Sequence, residues 1–475
     1  MDLSTQFVAE ALNIAAPAPK NAIFSSVTSD SRKVSRGCLF VAIPGEKFDG
    51  HDFIPQAIAA GAAGIICRRP PQGASGATAF FQVADTVQAY RKLAAAWRSK
   101  FHVPVLAVAG SVGKTTTKEF LAAMLRGKHA HVLKTEGSQN GFLGVAMTLL
   151  ELRPHHGAAV VEIGIDEPGA MVQHLEVVRP TGSLLTAIGP EHLENLKNLE
   201  TVAREEGLAL EITAKANGAV AVNLDDPWIA PWAAKLASDA YSGSAAVAFS
   251  LTSTPKASAP KTPLPTVVAR PTRDGSLAVS GAGLPKGATL PCPLPGEHNQ
   301  RNLLAAFTLA HLTGVTPKEA AKGLAGFQGA GGRTEIRKGG GLHILADHYN
   351  ANPTSVEAAL KLLTQLKSDA KGTKGTRTWA CLADMLELGT GEERFHRGLA
   401  PALEASGIAG VLLHGPRMAH LLDELRNRRF HGLVEHYESQ GALAARLRQL
   451  AHRGDWVLVK GSRGMHMEKV LDSLK

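Results

Sequence analysis

The chain has 475 residues, of which 44% are hydrophobic and 20% charged, and its formal net charge is +9. This length predicts two or three domains, because a single hydrophobic core rarely exceeds about 250–300 residues. No apolar run reaches the roughly 18–20 residues that cross a bilayer, so we expect no membrane insertion. The positive charge is dispersed and aromatic residues make up only 5%, which favours anionic small molecules over nucleic acid as partners.

The compartment is predicted from the N-terminus and the cysteines. The first thirteen residues lack the basic start and the apolar stretch of a signal peptide. The four cysteines, Cys38, Cys67, Cys292 and Cys381, show neither paired nor metal-type spacing. We therefore expect reduced thiols and a cytoplasmic protein.

Alternating apolar runs and amphipathic stretches predict an α/β fold with largely parallel sheets. In the first hundred residues we predict strands at 38–43 and 64–67 and helices at 53–60 and 85–98. The second helix begins with Asp85 as its N-cap. A new α/β unit then starts near residue 103, so we predict a first domain over residues 1–100.

The middle of the chain carries four short, apolar strands, at 105–109, 158–163, 184–188 and 219–223. Residues 253–295 are rich in Pro, Ser, Thr, Ala and Gly, which is typical of a disordered linker. Strand-like patches at 265–269 and 275–279 nevertheless favour a small antiparallel excursion. We predict a second domain over residues 101–329.

A glycine cluster (Gly329, Gly331 and Gly332) precedes Arg333 and predicts a hinge. The elements predicted after it are strands at 343–347, 378–383, 410–414 and 456–460 and helices at 355–366, 392–403 and 442–450. This order predicts a second open α/β sheet, and hence a third domain over residues 330–475.

The strongest motif is a phosphate-binding loop between the strand at 105–109 and a helix. Its residues are Gly110, Ser111, Val112, Gly113, Lys114, Thr115 and Thr116. Glycines let backbone N–H groups converge on phosphate oxygens at the positive end of a helix. Lys114 is expected to reach the β- and γ-phosphates and the Thr115 hydroxyl to contact Mg²⁺. The loop predicts a binding site for ATP or GTP.

Two polar residues follow neighbouring buried strands. Glu162 ends the next strand and is a candidate Mg²⁺ ligand, although a strand-terminal Glu is more often solvated. His192 follows a third strand and is a candidate metal or phosphate contact, although a lone His is usually structural. Strand ends of a doubly wound sheet converge on one crevice, so the candidate roles of Glu162 and His192 support each other.

These motifs resemble those of the Mur ligases over almost the whole chain. The matching segments are 29–34, 37–43, 50–53, 110–117, 135–140, 162–164, 192, 296–302, 333, 347–353, 384–389 and 460–463. Segments 349–353 and 384–389 are similar to the branch that adds D-alanyl-D-alanine. The resemblance implies an ATP-dependent, ADP-forming ligase that joins D-Ala-D-Ala to UDP-MurNAc-tripeptide through an acyl phosphate. It also implies an N-terminal UDP-binding domain, a central P-loop ATPase domain and a C-terminal Rossmann-like domain, in a protein expected to be monomeric.

The resemblance assigns expected roles, with ATP and Mg²⁺ as cofactors. The expected catalytic residues are Lys114, Glu162, His192 and Arg333. The expected nucleotide contacts are the loop residues Gly110 to Thr116 together with Asn299, Asn302, Arg333 and Asp347. The expected metal ligands are Thr115, Glu162, His192 and Glu206. The expected substrate contacts are Ser31, Arg32, Asn140, Tyr349, Asn350 and Asn352.

Several of these residues have plainer interpretations. Asn299 could be an N-cap, segment 350–353 a turn that starts a helix, and Ser31 with Arg32 an exposed loop pair. His396 and His414 have no support beyond their position and are interpreted as structural.

Two departures from the family pattern affect the site. Asn140 is followed by Gly141, where the family often has a second Asn, which puts a substrate contact in doubt. Many members carry, at the position of Glu206, a lysine that is carbamylated to bind a second Mg²⁺. Glu206 could supply a carboxylate directly, or it could be a solvated helix residue.

Four other functions remain as alternatives. The closest is the neighbouring ligase that adds a diamino acid, and segments 349–353 and 384–389 argue against it. A folylpolyglutamate-synthase-like ligase would leave Ser31 and Arg32 unexplained. An ATPase acting on nucleic acid fits the positive charge but lacks a stacking platform. A non-catalytic nucleotide-binding module does not account for so many matched site residues.

Overall fold

The structure, a computed structural model, describes residues 3–45, 47–71, 77–251, 262–369 and 375–474. The fold is α/β, as predicted. The chain divides into two compact units: unit 1 is Met1–Ala107, His129–Ile163 and Val172–Thr181, and unit 2 is Val108–Lys128, Gly164–Met171 and Gly182–Lys475. Among the described helices, none is both long and apolar enough to cross a membrane. The boundaries near residues 100 and 329 stay a prediction.

The strands are numbered in chain order. Strands β1 to β21 are Leu3–Ser4, Ile23–Phe24, Val27–Thr28, Leu39–Val41, Gly64–Cys67, Ala79–Gln82, Val105–Ala109, Val132–Lys134, Ala158–Glu162, Gly182–Leu185, Ala219–Asn223, Ala246–Leu251, Thr266–Pro271, Leu277–Gly281, Thr289–Leu290, Glu335–Gly339, Leu342–Ala346, Thr378–Ala383, Gly410–His414, Leu433–Tyr437 and Trp456–Lys460.

The α-helices are numbered in the same way. Helices α1 to α17 are Thr5–Leu12, Ile54–Ala59, Thr86–Arg98, Lys114–Arg126, Phe142–Leu150, Ala170–Val178, Leu193–Leu196, Leu199–Lys215, Trp232–Leu236, Glu297–Leu312, Pro317–Leu324, Pro353–Asp369, Glu392–Arg397, Ala400–Ala405, Met418–Asn427, Gln440–Leu450 and Glu468–Ser473.

Unit 1 contains a parallel sheet in the order β3, β4, β5, β6. Its core is apolar, with Phe40 and Ile65 fully buried between the sheet and α2. Helix α3 begins at the predicted N-cap, because the Asp85 carboxylate accepts the N–H groups of Val87 and Gln88. Strands β8 and β9 also pair in parallel, and β9 carries Glu162 at its end.

In unit 2, strands β10 to β13 are parallel neighbours, and β14 and β15 extend the sheet in antiparallel pairing. The predicted antiparallel excursion in the Pro- and Ser-rich segment is therefore confirmed from residue 262 onward. Residues 252–261 of that segment lie outside the described residues.

The second sheet of unit 2 has the order β16, β17, β21, β18, β19, β20, and only β16 runs antiparallel to its neighbour. Successive residues of β18 alternate between two apolar cores, with Ala380 and Leu382 in one and Trp379 and Cys381 in the other. Helices cover both faces, so the sheet is doubly wound as predicted.

Several predicted elements differ from the structure in their bounds, and two of the differences have an evident physical reason. The helix predicted over 392–403 is two helices, α13 and α14, because α13 ends at Gly398 and Pro401 lies in the first turn of α14. The strand predicted over 184–188 ends at Leu185. Beyond it the Ile188 N–H donates to the Asp226 carboxylate, 2.8 Å away, instead of to a neighbouring strand.

Candidate nucleotide and ligase site

The phosphate loop has the predicted strand–loop–helix geometry, because β7 ends at Ala109 and α4 begins at Lys114. Gly110 and Gly113 have φ of +114° and +90°, which side chains other than glycine rarely adopt. A Cβ at Gly110 would lie 2.4 Å from the Thr186 hydroxyl, and one at Gly113 would lie 2.4 Å from the Asn302 amide oxygen. Glycine is therefore required at both positions by conformation and by space.

Lys114 is held beside the loop by a carboxylate that the sequence analysis did not single out. Its Nζ donates to the Glu191 carboxylate at 3.0 and 3.3 Å and to the Gly110 carbonyl at 2.5 Å. Both side chains are largely buried. Burial raises the pKa of Glu191, and the charge of Lys114 opposes that rise. The pair keeps a cation at the loop.

Glu206 lies beneath the same loop, on α8, and its side chain is 0% exposed. The Gly110 N–H donates to Glu206 Oε2 at 2.8 Å, whereas Oε1 has no hydrogen-bond partner among the described residues. Burial raises the pKa of Glu206 to about 7. The interpretation of Glu206 as a solvated helix residue is therefore wrong, and its role as a metal ligand stays a prediction.

His192 follows β10 and faces the C-terminal sheet of unit 2. Its Nδ1 lies 2.7 Å from Glu387 Oε2. Burial lowers the pKa of His192, but the bond to Glu387 and the charge of Glu191 outweigh burial and raise the pKa above its usual value. The His192 side chain is thus bonded to the C-terminal sheet region through Glu387.

Unit 2 contains a cavity of about 230 Å³ between the phosphate loop and the C-terminal sheet. Predicted residues that line it are Ser111, Val112, Gly113, Thr116, Asn299, Asn302, Arg333, Asp347, Asn350 and Asn352. The Ser111 hydroxyl is buried there with no hydrogen-bond partner in the part of the chain that the structure describes. An unsatisfied polar atom in such a cavity indicates a ligand that supplies the missing bond. Amide, guanidinium and ammonium groups around a glycine loop fit a nucleoside triphosphate.

Helix α10 supplies two of the amide side chains of this cavity, those of Asn299 and Asn302. Gly296 is its N-cap, and no side chain caps the helix. The Asn299 amide instead donates to the Pro295 carbonyl at 2.8 Å, so the interpretation of Asn299 as an N-cap is wrong. His298 also lines the cavity, and burial lowers its pKa.

Asp347, at the end of β17, is fixed by two donors. The Thr334 N–H donates to its Oδ1 at 3.0 Å, and Lys460 Nζ donates to its Oδ2 at 2.6 Å. Lys460 also donates to the Asn350 carbonyl at 2.9 Å and is only 3% exposed. Lys460 lines the cavity but was absent from the predicted contacts. Its place at the last residue of a buried parallel strand was the available signal.

Arg333 lies over the ring of Tyr349, 4.1 Å from its centroid, and Arg463 lies 5.5 Å from the same ring. Arg333 also lines the cavity, whereas Tyr349 does not. Asn352 lines the cavity as well, and its side chain accepts the Ser355 N–H at 2.9 Å at the start of α12. The helix-start interpretation of segment 350–353 therefore holds, and the substrate role of Tyr349, Asn350 and Asn352 stays a prediction.

Four further predicted residues lie in unit 1. Glu162 is 1% exposed, so the interpretation of a solvated strand end is wrong. The Asn140 amide donates to Glu162 Oε1 at 2.9 Å. Ser31 and Arg32 form a short 3-10 helix capped by Asp30, and the Arg32 side chain is 85% exposed. The interpretation of an exposed loop pair agrees with that exposure and leaves the substrate role untested.

The histidines interpreted as structural are bonded within the C-terminal sheet region. His396 is fully buried and its Nε2 accepts the Met385 N–H at 3.1 Å. His414 lies 3.0 Å from the Tyr437 carbonyl through its Nδ1. Neither lines the cavity.

In the described ranges, no group of three or more His, Cys, Asp or Glu side chains is arranged to hold a metal ion. Mg²⁺ beside a nucleotide usually takes only one or two protein ligands, the phosphates and waters supplying the rest. The predicted ligands Thr115, Glu162, His192 and Glu206 therefore stay a prediction.

Models of three family domains match successive parts of the chain. "Mur ligase family, catalytic domain" matches residues 24–126, "Mur ligase middle domain" matches 108–310, and "Mur ligase, glutamate ligase domain" matches 332–463.

Two curated relatives carry the name UDP-N-acetylmuramoyl-tripeptide–D-alanyl-D-alanine ligase. The one from Bacillus subtilis (strain 168) is 31% identical over 465 residues, covering 97% of this chain and 95% of the relative. The one from Escherichia coli (strain K12) is 34% identical over 462 residues, covering 95% and 93%.

Two solved structures are similar over nearly their whole length. MurF from Acinetobacter baumannii superposes with a TM-score of 0.82 at 27% identity, covering 99% of this chain and 98% of that one. MurF from Thermotoga maritima, solved in complex with ADP, has a TM-score of 0.74 at 23% identity, covering 94% and 96%. The second likeness concerns the fold alone.

Proposed function

This chain belongs to the Mur ligase family, and on this premise we propose that it joins D-Ala-D-Ala to UDP-MurNAc-tripeptide in peptidoglycan precursor synthesis. The reaction uses ATP and releases ADP and phosphate. The observation that carries this assignment is identity of 31% and 34% to two ligases of that name over at least 93% of their length.

The chemistry explains why ATP is needed. A carboxylate is a poor acyl donor, because its oxide is a very poor leaving group. In the first step a carboxylate oxygen of the tripeptide attacks the γ-phosphorus of ATP, and ADP leaves. In the second step the amine of D-Ala-D-Ala attacks the acyl carbon, phosphate leaves, and the amine loses a proton. Catalysis of phosphoryl transfer is therefore largely positioning and neutralisation of charge.

Lys114 and Arg333 are the cations we assign to the transferred phosphoryl group. Lys114 follows the glycine loop directly, and its bonds to Glu191 and Gly110 keep it at the loop. Arg333 lines the cavity from the side of the C-terminal sheet. Asn299, Asn302 and Asp347, which line the same cavity, are assigned to the nucleoside.

We assign Mg²⁺ to Thr115, Glu162, His192 and Glu206. When bound, the ion would neutralise charge on the phosphates and order them. The unsatisfied Oε1 of Glu206 supports this fit, because that buried carboxylate oxygen has acceptor capacity left for an ion or its water. Glu206 is a carboxylate without reaction with CO₂, so this position needs no carbamylation.

The substrate side is assigned in the same way. We propose that Ser31, Arg32 and Asn140 contact the UDP-linked precursor in a domain over residues 1–100. Tyr349, Asn350 and Asn352 are proposed to contact the dipeptide in a domain over residues 330–475, and the domain between them binds ATP. We also propose that the protein is a monomer, and that it is cytoplasmic, since all four cysteines are free thiols.

Release of ADP tests the proposal. The enzyme is mixed with ATP, Mg²⁺ and UDP-MurNAc-tripeptide, with and without D-Ala-D-Ala, and ADP is measured by a coupled assay. Full turnover is expected only with both substrates. Equal turnover with UDP-MurNAc-dipeptide and a free diamino acid would instead support the neighbouring ligase of the family.

A further inference from the structure

One segment of the C-terminal sheet region reaches the loop that follows β10. This tip segment, residues 384–389, comes directly after β18. Glu387 makes two contacts from it: Oε2 lies 2.7 Å from His192 Nδ1, and its carbonyl accepts the Leu193 N–H at 2.9 Å. A single residue thus binds both the side chain of His192 and the backbone beside it.

The tip segment is anchored firmly on its own side. The buried Asp384 carboxylate accepts the Met418 N–H at 2.9 Å. The Met385 N–H donates to His396 at 3.1 Å, and the Leu386 N–H donates to the Ser462 hydroxyl at 2.9 Å. The three residues before Glu387 are therefore bonded to the C-terminal sheet region.

The backbone conformation of the tip segment allows it to lie close to the backbone of Leu193 and Glu194. Glu387 has φ of +64°, a conformation that non-glycine residues adopt only at a cost. Gly389 has φ of +63°, and a Cβ there would lie 3.1 Å from the Glu194 N and the Leu193 carbonyl carbon. Unfavourable conformations of this kind persist where the surroundings require them, often at functional positions.

On the other side, the contact leads to the phosphate loop. His192 itself has φ of +50°, and its neighbour Glu191 bonds Lys114 at 3.0 Å. A continuous path therefore runs from Glu387 through His192 and Glu191 to Lys114. It joins the sheet that carries Tyr349 and Asn350 to the loop that carries the phosphate-binding residues.

We propose that Glu387 is a positioning residue that orients the His192 ring and couples the C-terminal sheet to the phosphate loop. This inference rests on the proposed function, since the coupled event is phosphoryl transfer before the dipeptide attacks. Neither Glu387 nor His192 lines the cavity, and the side chain of Glu387 reaches toward the phosphate loop through its contact with His192. Its side chain is 58% exposed, and pairs this exposed add little to stability. Substitution of Glu387 is therefore expected to lower the turnover rate and to leave the stability of the protein nearly unchanged.

The test compares Glu387→Gln with Glu393→Gln in the full-length protein. Glu393 is a matched control, because it is 56% exposed, lies in the same sheet region and pairs with Arg397 at 2.9 Å. Removing the partner that orients a functional histidine typically costs about 10–100-fold in activity. We expect Glu387→Gln to lower kcat by roughly 10-fold or more, with ATP affinity and Tm unchanged. Glu393→Gln should match the wild type.

A double-mutant cycle shows whether Glu387 acts through His192. Glu387→Ala should lower kcat in the wild-type background and add no further loss in a His192→Ala background. Equal losses in both backgrounds, or a kcat for Glu387→Gln above half that of the wild type, would overturn the proposal.

A readout without substrates separates this inference from the proposed function. In histidine-labelled protein, the NMR signal of the His192 ring, identified by its loss in His192→Gln, should move in Glu387→Gln and not in Glu393→Gln. An unmoved signal contradicts the contact. If the His192 signal moves in Glu387→Gln but the wild-type enzyme does not turn over these substrates, the contact is supported and the substrate assignment is rejected.

Discussion

Lys114 is held by groups beside the phosphate loop. Its Nζ contacts the Glu191 carboxylate and the Gly110 carbonyl, and these contacts keep it near the loop. The same buried pair lowers the cost of desolvating the lysine. The lysine of the phosphate loop therefore has a defined acidic partner, Glu191.

Replacing Lys114 with Ala should lower kcat by roughly 10²–10³-fold, because it removes a cation that stabilises charge in the transition state. The measurement is ADP release at saturating substrates. Lys128→Ala is the control, since Lys128 is an exposed residue just after α4 that donates to the Thr313 and Gly314 carbonyls. A Lys114→Ala enzyme with half of the wild-type activity would show that this loop is not catalytic.

Glu206 should make stability depend on pH. Burial raises its pKa from 4.5 to about 7 in the folded protein. Below pH 4.5 the group is neutral in both states, whereas between 4.5 and 7 only the unfolded state loses the proton, so stability falls as pH rises. Above that window the full cost of the buried charge remains, of the order of 1–3 kcal/mol.

Glu206→Gln should therefore raise the free energy of unfolding at pH 8, by about 1–3 kcal/mol, and change it little at pH 4.5. Denaturant unfolding of metal-free protein at both pH values measures this. Glu211→Gln, on the same helix, should show the opposite sign at pH 8, because bonds to Lys215 and Lys235 lower the pKa of Glu211. An unchanged stability at pH 8 for Glu206→Gln would contradict the buried, ionised carboxylate.

At the scale of elements, buried parallel strands were the most predictable. Strands β5, β7, β11, β18, β19 and β21 have the predicted bounds. Their sequences are largely apolar, with a polar residue only at a strand end, because both faces of a parallel sheet are covered. Strand β20, at the edge of its sheet, was missed because all five of its residues are only half-buried and the run includes Glu435 and His436.

The site was predictable where a local motif carries the chemistry. The phosphate loop and the residues around Asp347 lie on one cavity, as their motifs suggested. Glu191 and Glu387 could not be assigned roles in advance, because their partners are at least 77 positions away in the chain. For Lys460 the strand-end position was the only signal, since its partner Asp347 is also distant in the chain. Such pairs arise from the packing of strand ends and leave no spacing pattern in the sequence.

Substitution of Arg333, which lies just before β16, should affect turnover much more than ATP binding. Arg333 follows Gly332, whose φ is +71° and where a Cβ would lie 2.9 Å from the His348 ring. Arg333→Ala should lower kcat by roughly 10²-fold while changing the Kd for ATP much less, since the cation acts on the transferred phosphoryl group. Arg337→Ala is the control, because Arg337 lies on β16 and pairs with Glu335. Equal losses in affinity and kcat would contradict this role.

At the scale of the whole molecule, unit 1 contains the parallel sheet β3 to β6. Unit 2 contains strands β10 to β15 and the six-stranded C-terminal sheet. Within unit 2, the phosphate loop and the C-terminal sheet contribute to one cavity. A ligase with a hydrolysable acyl phosphate needs such an arrangement, because water must be kept from the intermediate until the amine attacks.

Whether this chain joins D-Ala-D-Ala to the UDP-linked tripeptide can be read from the mass of its product. The enzyme is incubated with ATP, Mg²⁺, D-Ala-D-Ala and UDP-MurNAc-tripeptide ending in either diaminopimelate or lysine, and the products are analysed by mass spectrometry. We expect at least one tripeptide to gain the mass of D-Ala-D-Ala less one water, with one ADP formed per product. A tripeptide that stays unchanged in both reactions, while UDP-MurNAc-dipeptide gains a diamino acid, would contradict the assignment.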